Sequence, residues 1–173
     1  MTDEALIKIC RKGDRQGQTF LYQKFITSMG RLCLRYLKNE EDTKHVLTEG
    51  FLKVFSHFKK FEYRGKESLE VWIRKIMINE SLMHLRKRKI LFVDIYNFEI
   101  PETNLYETNI SAEEIYNLIT SLPDGYRTVF NLYAIEGYSH KEIGAMLGIS
   151  ESSSRSQLTH ARRKLQQLLK ECK

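Results

Sequence analysis

Arg155, Thr159, Arg162 and Arg163 recur three or four residues apart near the C-terminus, with Ser153, Ser156 and His160 interspersed. At that spacing the four share one side of a helix. An arginine so placed can bond twice to a guanine edge, while serine and lysine more often hold phosphates. The chemistry this implies is the reading of a DNA duplex. A second set lies upstream, where Phe61, Tyr63 and Trp72 mix with Arg64, Lys66, Arg74, Lys75 and the run Arg86-Lys87-Arg88-Lys89. Stacking faces beside cations suit an unpaired nucleic-acid strand. Trp72 shares an apolar stripe with Leu69, Ile73 and Ile76 and is expected in the core, as Phe61 can be. The residues left for contact are Tyr63, Arg64, Lys66, Glu67 and Ser68 of the loop, together with the terminal basic run.

Catalytic chemistry finds no comparable set. His45, His57, His84, His140 and His160 show no paired metal-ligand spacing, and no glycine-rich phosphate loop is present. Glu40, Glu41 and Asp42 stand at a helix start, where adjacent carboxylates serve the helix dipole and its caps. No catalytic residue, metal or cofactor is therefore expected.

The C-terminal basic residues need a helix held at a defined angle. Ser139 with Glu142 forms a capping box, Ile143 and Leu147 give the helix that follows one apolar face, and Gly148 permits a sharp turn. Ser150 can cap a second helix beginning at Glu151, with Arg155, Ser156, Gln157, Thr159 and His160 on it and Leu158, Ala161 and Leu165 holding it to the protein. This is the layout of a helix-turn-helix whose second helix enters the major groove. Upstream, helical periodicity predicts helices over roughly Asp3 to Lys12, Arg15 to Leu37 (with Phe20, Leu21 and Phe25 in its apolar pattern), from near Glu41 onward, and about Ser68 to Lys89. The segment FEYRGKES breaks the third helix from the fourth. From Ile90 to Asn109 the helical spacing fails, which reads as a linker. Ser111 with Glu114 makes another capping box, and helices near 112–121 and 125–136 lead into the helix pair. The expected fold is all-α: two small helical domains, 1–90 and 111–173, joined by a flexible acidic linker over 91–110.

Charge follows the same division. Residues 1–90 carry 20 basic and 11 acidic side chains, residues 91–126 none and seven, and residues 127–173 eight and four. Two basic blocks flanking an acidic connector suggest a polyanion touched twice. Cys10, Cys33 and Cys172 lack metal-ligand spacing, and the first two fall in apolar helical patterns as reduced thiols. No uncharged apolar run approaches ~18 residues, so a soluble, cytoplasmic chain is expected.

These motifs, in this order, resemble those of a bacterial RNA polymerase sigma factor of the extracytoplasmic-function type, with only the domains called sigma-2 and sigma-4. The stretch EDTKHVLTEGFLKVFSHFKKF is similar to the helix that docks on the polymerase clamp. SLEVWIRKIMINESLMHLRKRK is similar to the helix that reads and melts the −10 element. LPDGYRTVFNLYAIEGYSHKEIGAMLGIS, followed by RSQLTHARRKL, is similar to the −35-reading domain. The resemblance implies polymerase contacts from Asp42, Glu49, Phe51, Leu52 and Phe55. It implies capture of a flipped −10 base by the loop Tyr63 to Ser68 with Asn79, and phosphate contacts from Arg86, Lys87 and Arg88. Ser153, Arg155, Ser156, Thr159, His160, Arg162 and Arg163 would meet the −35 duplex. The partners implied are core RNA polymerase, promoter DNA as duplex and melted strand, and an anti-sigma factor, commonly membrane-anchored. His45 stands where the family usually has aspartate, Thr48 where it has glutamine, Met83 where aspartate is common, and Ser154 where an apolar residue seats the recognition helix. Thr159 and His160 occupy places that are often aromatic and arginine.

Two other readings share part of this pattern. A helix-turn-helix regulator could use residues 1–90 for ligand binding or oligomerisation, but a duplex-only reader does not need the FEYRGKES loop and the basic aromatic helix after it. A DNA-processing enzyme would need an acidic or nucleophilic set that cannot be assembled here.

Overall fold

The computed structural model describes residues 3–87 and 111–171. The expected linker over 91–110, Arg88 of the basic run, and Cys172 lie outside the described residues. The chain divides into two compact units, Met1–Leu85 and Arg86–Lys173. All regular elements among the described residues are helical.

In the N-terminal unit α1 spans Asp3–Arg11, α2 Arg15–Leu37, α3 Glu40–His57 and α4 Ser68–Lys87, with a 3-10 turn over Phe58–Lys60. Local chemistry sets the starts. The Asp14 side chain accepts from the Gly17 amide at 2.9 Å, and the Asn39 side chain accepts from the Asp42 amide at 2.8 Å. Each satisfies a donor that a helix start leaves open. The core is formed by Leu21, Phe25, Met29, Leu32, Cys33 and Tyr36 of α2, Val46, Phe51 and Val54 of α3, and Leu69, Ile73, Met77 and Ile78 of α4. Phe20 does not join it: the ring is 56 % exposed, so the apolar pattern of α2 is interrupted there. Burial pushes the thiols of Cys10 and Cys33 up to about 11, which keeps both protonated and unreactive.

The α4 helix is not apolar throughout its buried side. Ser81 is fully buried and donates to the Met77 carbonyl at 2.8 Å, while buried Glu80 takes a 2.6 Å bond from Lys53 of α3. Gly50 of α3 faces Met77, and a β-carbon there would meet its sulfur.

The C-terminal unit holds α5 (Ala112–Ser121), α6 (Asp124–Phe130), α7 (His140–Leu147) and α8 (Glu151–Glu171). Both expected capping boxes are formed, Ser111 with Glu114 and Ser139 with Glu142. Arg127 is fully buried, donating to the Leu122 carbonyl at 2.8 Å and pairing with Asp124. The single helix expected over 125–136 is instead α6 followed by a π turn, Asn131–Ile135, where the Glu136 amide reaches back five residues to Asn131 at 3.0 Å. That wider turn carries Tyr133, whose ring stacks on His140 of α7. Such turns often occur at functional positions.

Gly148 closes α7 in the left-handed region, φ 70°, with its amide bonded to the Gly144 carbonyl at 2.9 Å. The Ile149 amide shares that carbonyl at 3.1 Å, and Ser150 Oγ accepts from the Ser153 amide at 3.0 Å to start α8. Any side chain at 148 strains this turn, so Gly148→Ala is expected to cost the unit about 1–2 kcal/mol. Chemical denaturation of the two proteins measures the difference.

Candidate nucleic-acid interface

Of the residues assigned to duplex reading, Arg155, Ser156, Thr159 and Arg162 are exposed on α8, while Ser153, His160 and Arg163 are half-buried. Arg155 pairs with Glu151 at 2.5 Å, both well exposed, a contact that water screens and a base or phosphate can displace. The His160 ring stacks on Tyr126, 5.5 Å between centroids and 16° from parallel, and the Arg162 guanidinium lies over Tyr133 at 5.8 Å. Aromatic support of this kind limits the freedom of the two side chains before any ligand arrives. Gln157, expected among the polar groups of the helix, is buried at 7 % exposure and belongs to its inner side.

The inner side of α8 also carries Ser154, fully buried, its hydroxyl 2.9 Å from His140 Nδ1. His140 in turn stacks on Tyr133 at 4.4 Å. A polar pair thus links α7 to α8, with an aromatic ring from the π turn covering it.

In the N-terminal unit, Tyr63, Arg64, Lys66 and Glu67 of the predicted capture loop are exposed. Ser68 is not free to join them. Its hydroxyl donates to the Gly65 carbonyl at 2.7 Å and accepts from the Arg64 amide at 3.2 Å, so it closes the loop on itself. Gly65 at φ 104° and Glu67 at φ 75° both lie in the region that disfavours side chains, and Glu67 adopts it without being glycine. A cavity of about 310 Å³ is lined by Lys53 and His57 of α3, Lys60 of the 3-10 turn, and Trp72, Ile76, Asn79 and Glu80 of α4; none of the loop residues Tyr63 to Ser68 lines it. Trp72 packs on Phe61 at 4.8 Å and edge-on to Phe58 at 5.6 Å, yet stays half-buried and forms one wall. It is both core and lining. Asn79, Lys75, Met83, Arg86 and Lys87 are exposed on α4. Lys53, His57, Lys60 and Glu80 carried no sequence signal, because they meet only when α3 and α4 pack.

The five residues assigned to polymerase contact divide. Leu52 is 58 % exposed, Glu49 is exposed and Phe55 half-buried, but Asp42 and Phe51 lie inside the unit. Phe51 packs against the Tyr22 ring at 4.8 Å, tilted by 59°, and Asp42 takes a 3.0 Å contact from His84 of α4 together with the side-chain amide of Asn39 at 2.6 Å. Phe51 is thus a core residue and Asp42 a tie between helices, and neither side chain is presented for docking. Among the described residues no three His, Cys, Asp or Glu side chains converge as a metal site, and no helix is long and apolar enough to cross a membrane.

Comparison with known proteins assigns both units. The family model described as Sigma-70 region 2 matches residues 21–90, and that described as Sigma-70, region 4 matches residues 112–165. The chain is 23 % identical over 178 residues to the ECF RNA polymerase sigma-E factor of Haemophilus influenzae, covering 94 % of this chain and 92 % of that one. This chain belongs to the sigma-70 family, as an extracytoplasmic-function sigma factor. It is an alternative sigma factor that directs RNA polymerase. The sigma-E factor of Salmonella typhimurium is 25 % identical over 177 residues, with 94 % and 91 % of the two chains covered. In fold it is similar to CnrH, solved with the cytosolic domain of CnrY, at a TM-score of 0.54 and 20 % identity over 98 % of this chain and 97 % of that one. It is also similar to the sigma factor RpoE of Bartonella quintana, solved with the anti-sigma factor NepR, at 0.52 and 18 % identity over 87 % and 96 %.

For this sigma factor the geometry accounts for one departure from the family pattern. Ser154, in an apolar seat, would be a costly buried hydroxyl, and His140 satisfies it. His45 and Thr48 are exposed: the His45 ring lies 5.7 Å from that of His84, and the Thr48 hydroxyl donates to the Lys44 carbonyl at 2.9 Å.

Burial holds the His140 pKa below the ordinary 6.5, Arg155 and Arg162 add to the effect, and Glu151 opposes it. The unfolded chain therefore takes up a proton below 6.5 that the folded unit resists. Stability of the C-terminal unit is expected to be flat above that value and to fall as pH is lowered through it. Denaturant unfolding followed on the Ile143 methyl signals checks this, and His140→Gln should remove that part of the slope.

Proposed function

We propose that this sigma factor grips a promoter at two places. In this reading residues 1–90 form the unit that binds core polymerase and the −10 element, 91–110 connect, and 111–173 form the −35 reader. Glu49, Leu52 and Phe55 face the polymerase. Arg155, Ser156, Thr159 and Arg162 enter the −35 major groove, with Ser153, His160 and Arg163 at its margin. Tyr63, Arg64, Lys66 and Glu67 border the −10 strand, Arg86, Lys87 and Arg88 hold its phosphates, and Asn79 meets a flipped base in the cavity beside Trp72.

The observation that carries this reading is that cavity: an aromatic wall and convergent polar groups on a helix that also exposes Lys75, Arg86 and Lys87. Unstacking a base costs a few kcal/mol, and stacking it on an aromatic surface returns ~1–3 kcal/mol, so capture offsets melting. Each unit alone binds weakly. Joined, the second contact gains from effective concentration once polymerase sets the separation. The factor itself performs no chemistry in this reading, and it acts in the cytoplasm. CnrH and the Bartonella quintana RpoE are each described with a bound partner, an anti-sigma factor in the second case. We infer the same kind of partner for this chain, acting by covering its polymerase and DNA faces and, where membrane-anchored, holding it at the inner membrane.

Core polymerase is to be tested on a promoter library with and without the chain. A defined set of promoters should fire only when the chain is present, and no change in the promoters used would contradict the proposal. On those promoters Arg155→Ala should cost about 1–3 kcal/mol of binding, concentrated on particular −35 sequences. Equal loss on every −35 sequence would make Arg155 a phosphate contact.

A further inference from the structure

Glu80 is out of place on a surface built for a polyanion. Its side chain is 10 % exposed, lines the cavity next to Asn79, and comes from the helix that exposes Lys75, Arg86 and Lys87. A carboxylate there repels phosphate. One of its oxygens, Oε1, accepts from the Lys53 ammonium at 2.6 Å. Its other oxygen has no hydrogen bond among the described residues, and it is not sealed from solvent. Asn79 likewise has no side-chain partner among them, so an amide and a carboxylate oxygen line the same space with their bonding capacity unused.

A group that repels phosphate and borders an aromatic wall is suited to one part of a nucleotide, a donor on the base edge. Cytosine and adenine carry an exocyclic amine at the corner of that edge, with a ring acceptor beside it. Thymine offers only N3–H between two carbonyl oxygens, both of which a carboxylate repels. Acidic side chains accept from the cytosine amine for this reason. Lys53 holds a donor 2.6 Å from the carboxylate on the same cavity wall, which a ring acceptor beside the amine can use.

We propose that Glu80 is a specificity-determining residue: it accepts from the exocyclic amine of the captured base, so that the cavity takes cytosine or adenine in preference to thymine. Lys53 positions the carboxylate. The inference rests on the strand-capture reading of this cavity, and it is distinct from a mere tie between α3 and α4, which would leave base preference unchanged.

The experiment uses holoenzyme assembled from the full chain and core RNA polymerase, bound to promoter DNA with a premelted −10 bubble. Each non-template −10 position is made abasic in turn, and the position with the largest loss carries the captured base. If no position loses binding, base capture itself is wrong. At the position found, cytosine is compared with uracil, which has the same size and a carbonyl in place of the amine, and adenine with purine, which lacks the amine. The expected result is about a tenfold advantage for the amine-bearing base in each pair, the size of one good base-edge hydrogen bond. Glu80→Gln should remove most of it. Equal binding of cytosine and uracil at a position that does lose binding when abasic overturns the role of Glu80 and leaves base capture standing. The wild-type ratio decides this without any variant, and a Glu80→Gln protein that retains the full ratio also overturns it.

Discussion

Met77 of α4 comes in over Gly50 of α3, where no side chain intervenes, and two polar contacts flank that approach: Lys53 with Glu80, and His84 with Asp42. Once α4 is fixed this way, Leu69, Ile73, Met77, Ile78, Leu82 and Leu85 face the core. Outside, Val71, Lys75, Asn79, Met83 and Arg86 run three or four apart along one exposed strip, with Glu70 and Lys87 exposed as well. The cavity opens where that strip meets α3 and the 3-10 turn. The Lys53–Glu80 pair contributes little net stability, because Lys53 is 40 % exposed and water screens the attraction. Its effect here is to fix how α3 and α4 meet, and with it the shape of the cavity.

The C-terminal unit solves a similar problem with a smaller core. Its polar interior, made of Arg127 with Asp124 and His140 with Ser154, sits where α6, α7 and α8 converge. The His140 contact sets the seat of the recognition helix, and the same ring is covered by Tyr133 from the π turn, over which Arg162 also lies. One aromatic side chain therefore supports both the hidden face of the helix pair and a cation on its exposed face. Substituting either His140 or Ser154 alone would leave the other unsatisfied.

Local chemistry was readable from residue order. Asp14, Asn39, Ser111 and Ser139 start helices within a residue of where side-chain caps and periodicity put them, and Gly148 ends one. So were the exposed arginines of α8, because a polar stripe at helical spacing needs no tertiary information. What depended on packing was not readable. Phe51 and Asp42 belong to a helix with apolar residues on more than one side, and only the placement of α2 and α4 decides which side is inside. Gln157 faced inward for the same reason, and Phe20 outward. The π turn carries Tyr133 onto His140, a contact between separate elements that residue order does not show. The cavity draws Lys53, His57, Lys60 and Glu80 from positions that read as ordinary surface charge.

Strand capture is the central claim, and 2-aminopurine reports it directly, since its fluorescence rises when the base leaves the stack. Placed in turn at each non-template −10 position of promoter DNA bound to the holoenzyme, it should brighten sharply at a single position, and Trp72→Ala or Asn79→Ala should reduce that signal while the −35 contact persists. A uniform signal across the −10 positions, or one unchanged by both substitutions, would contradict it.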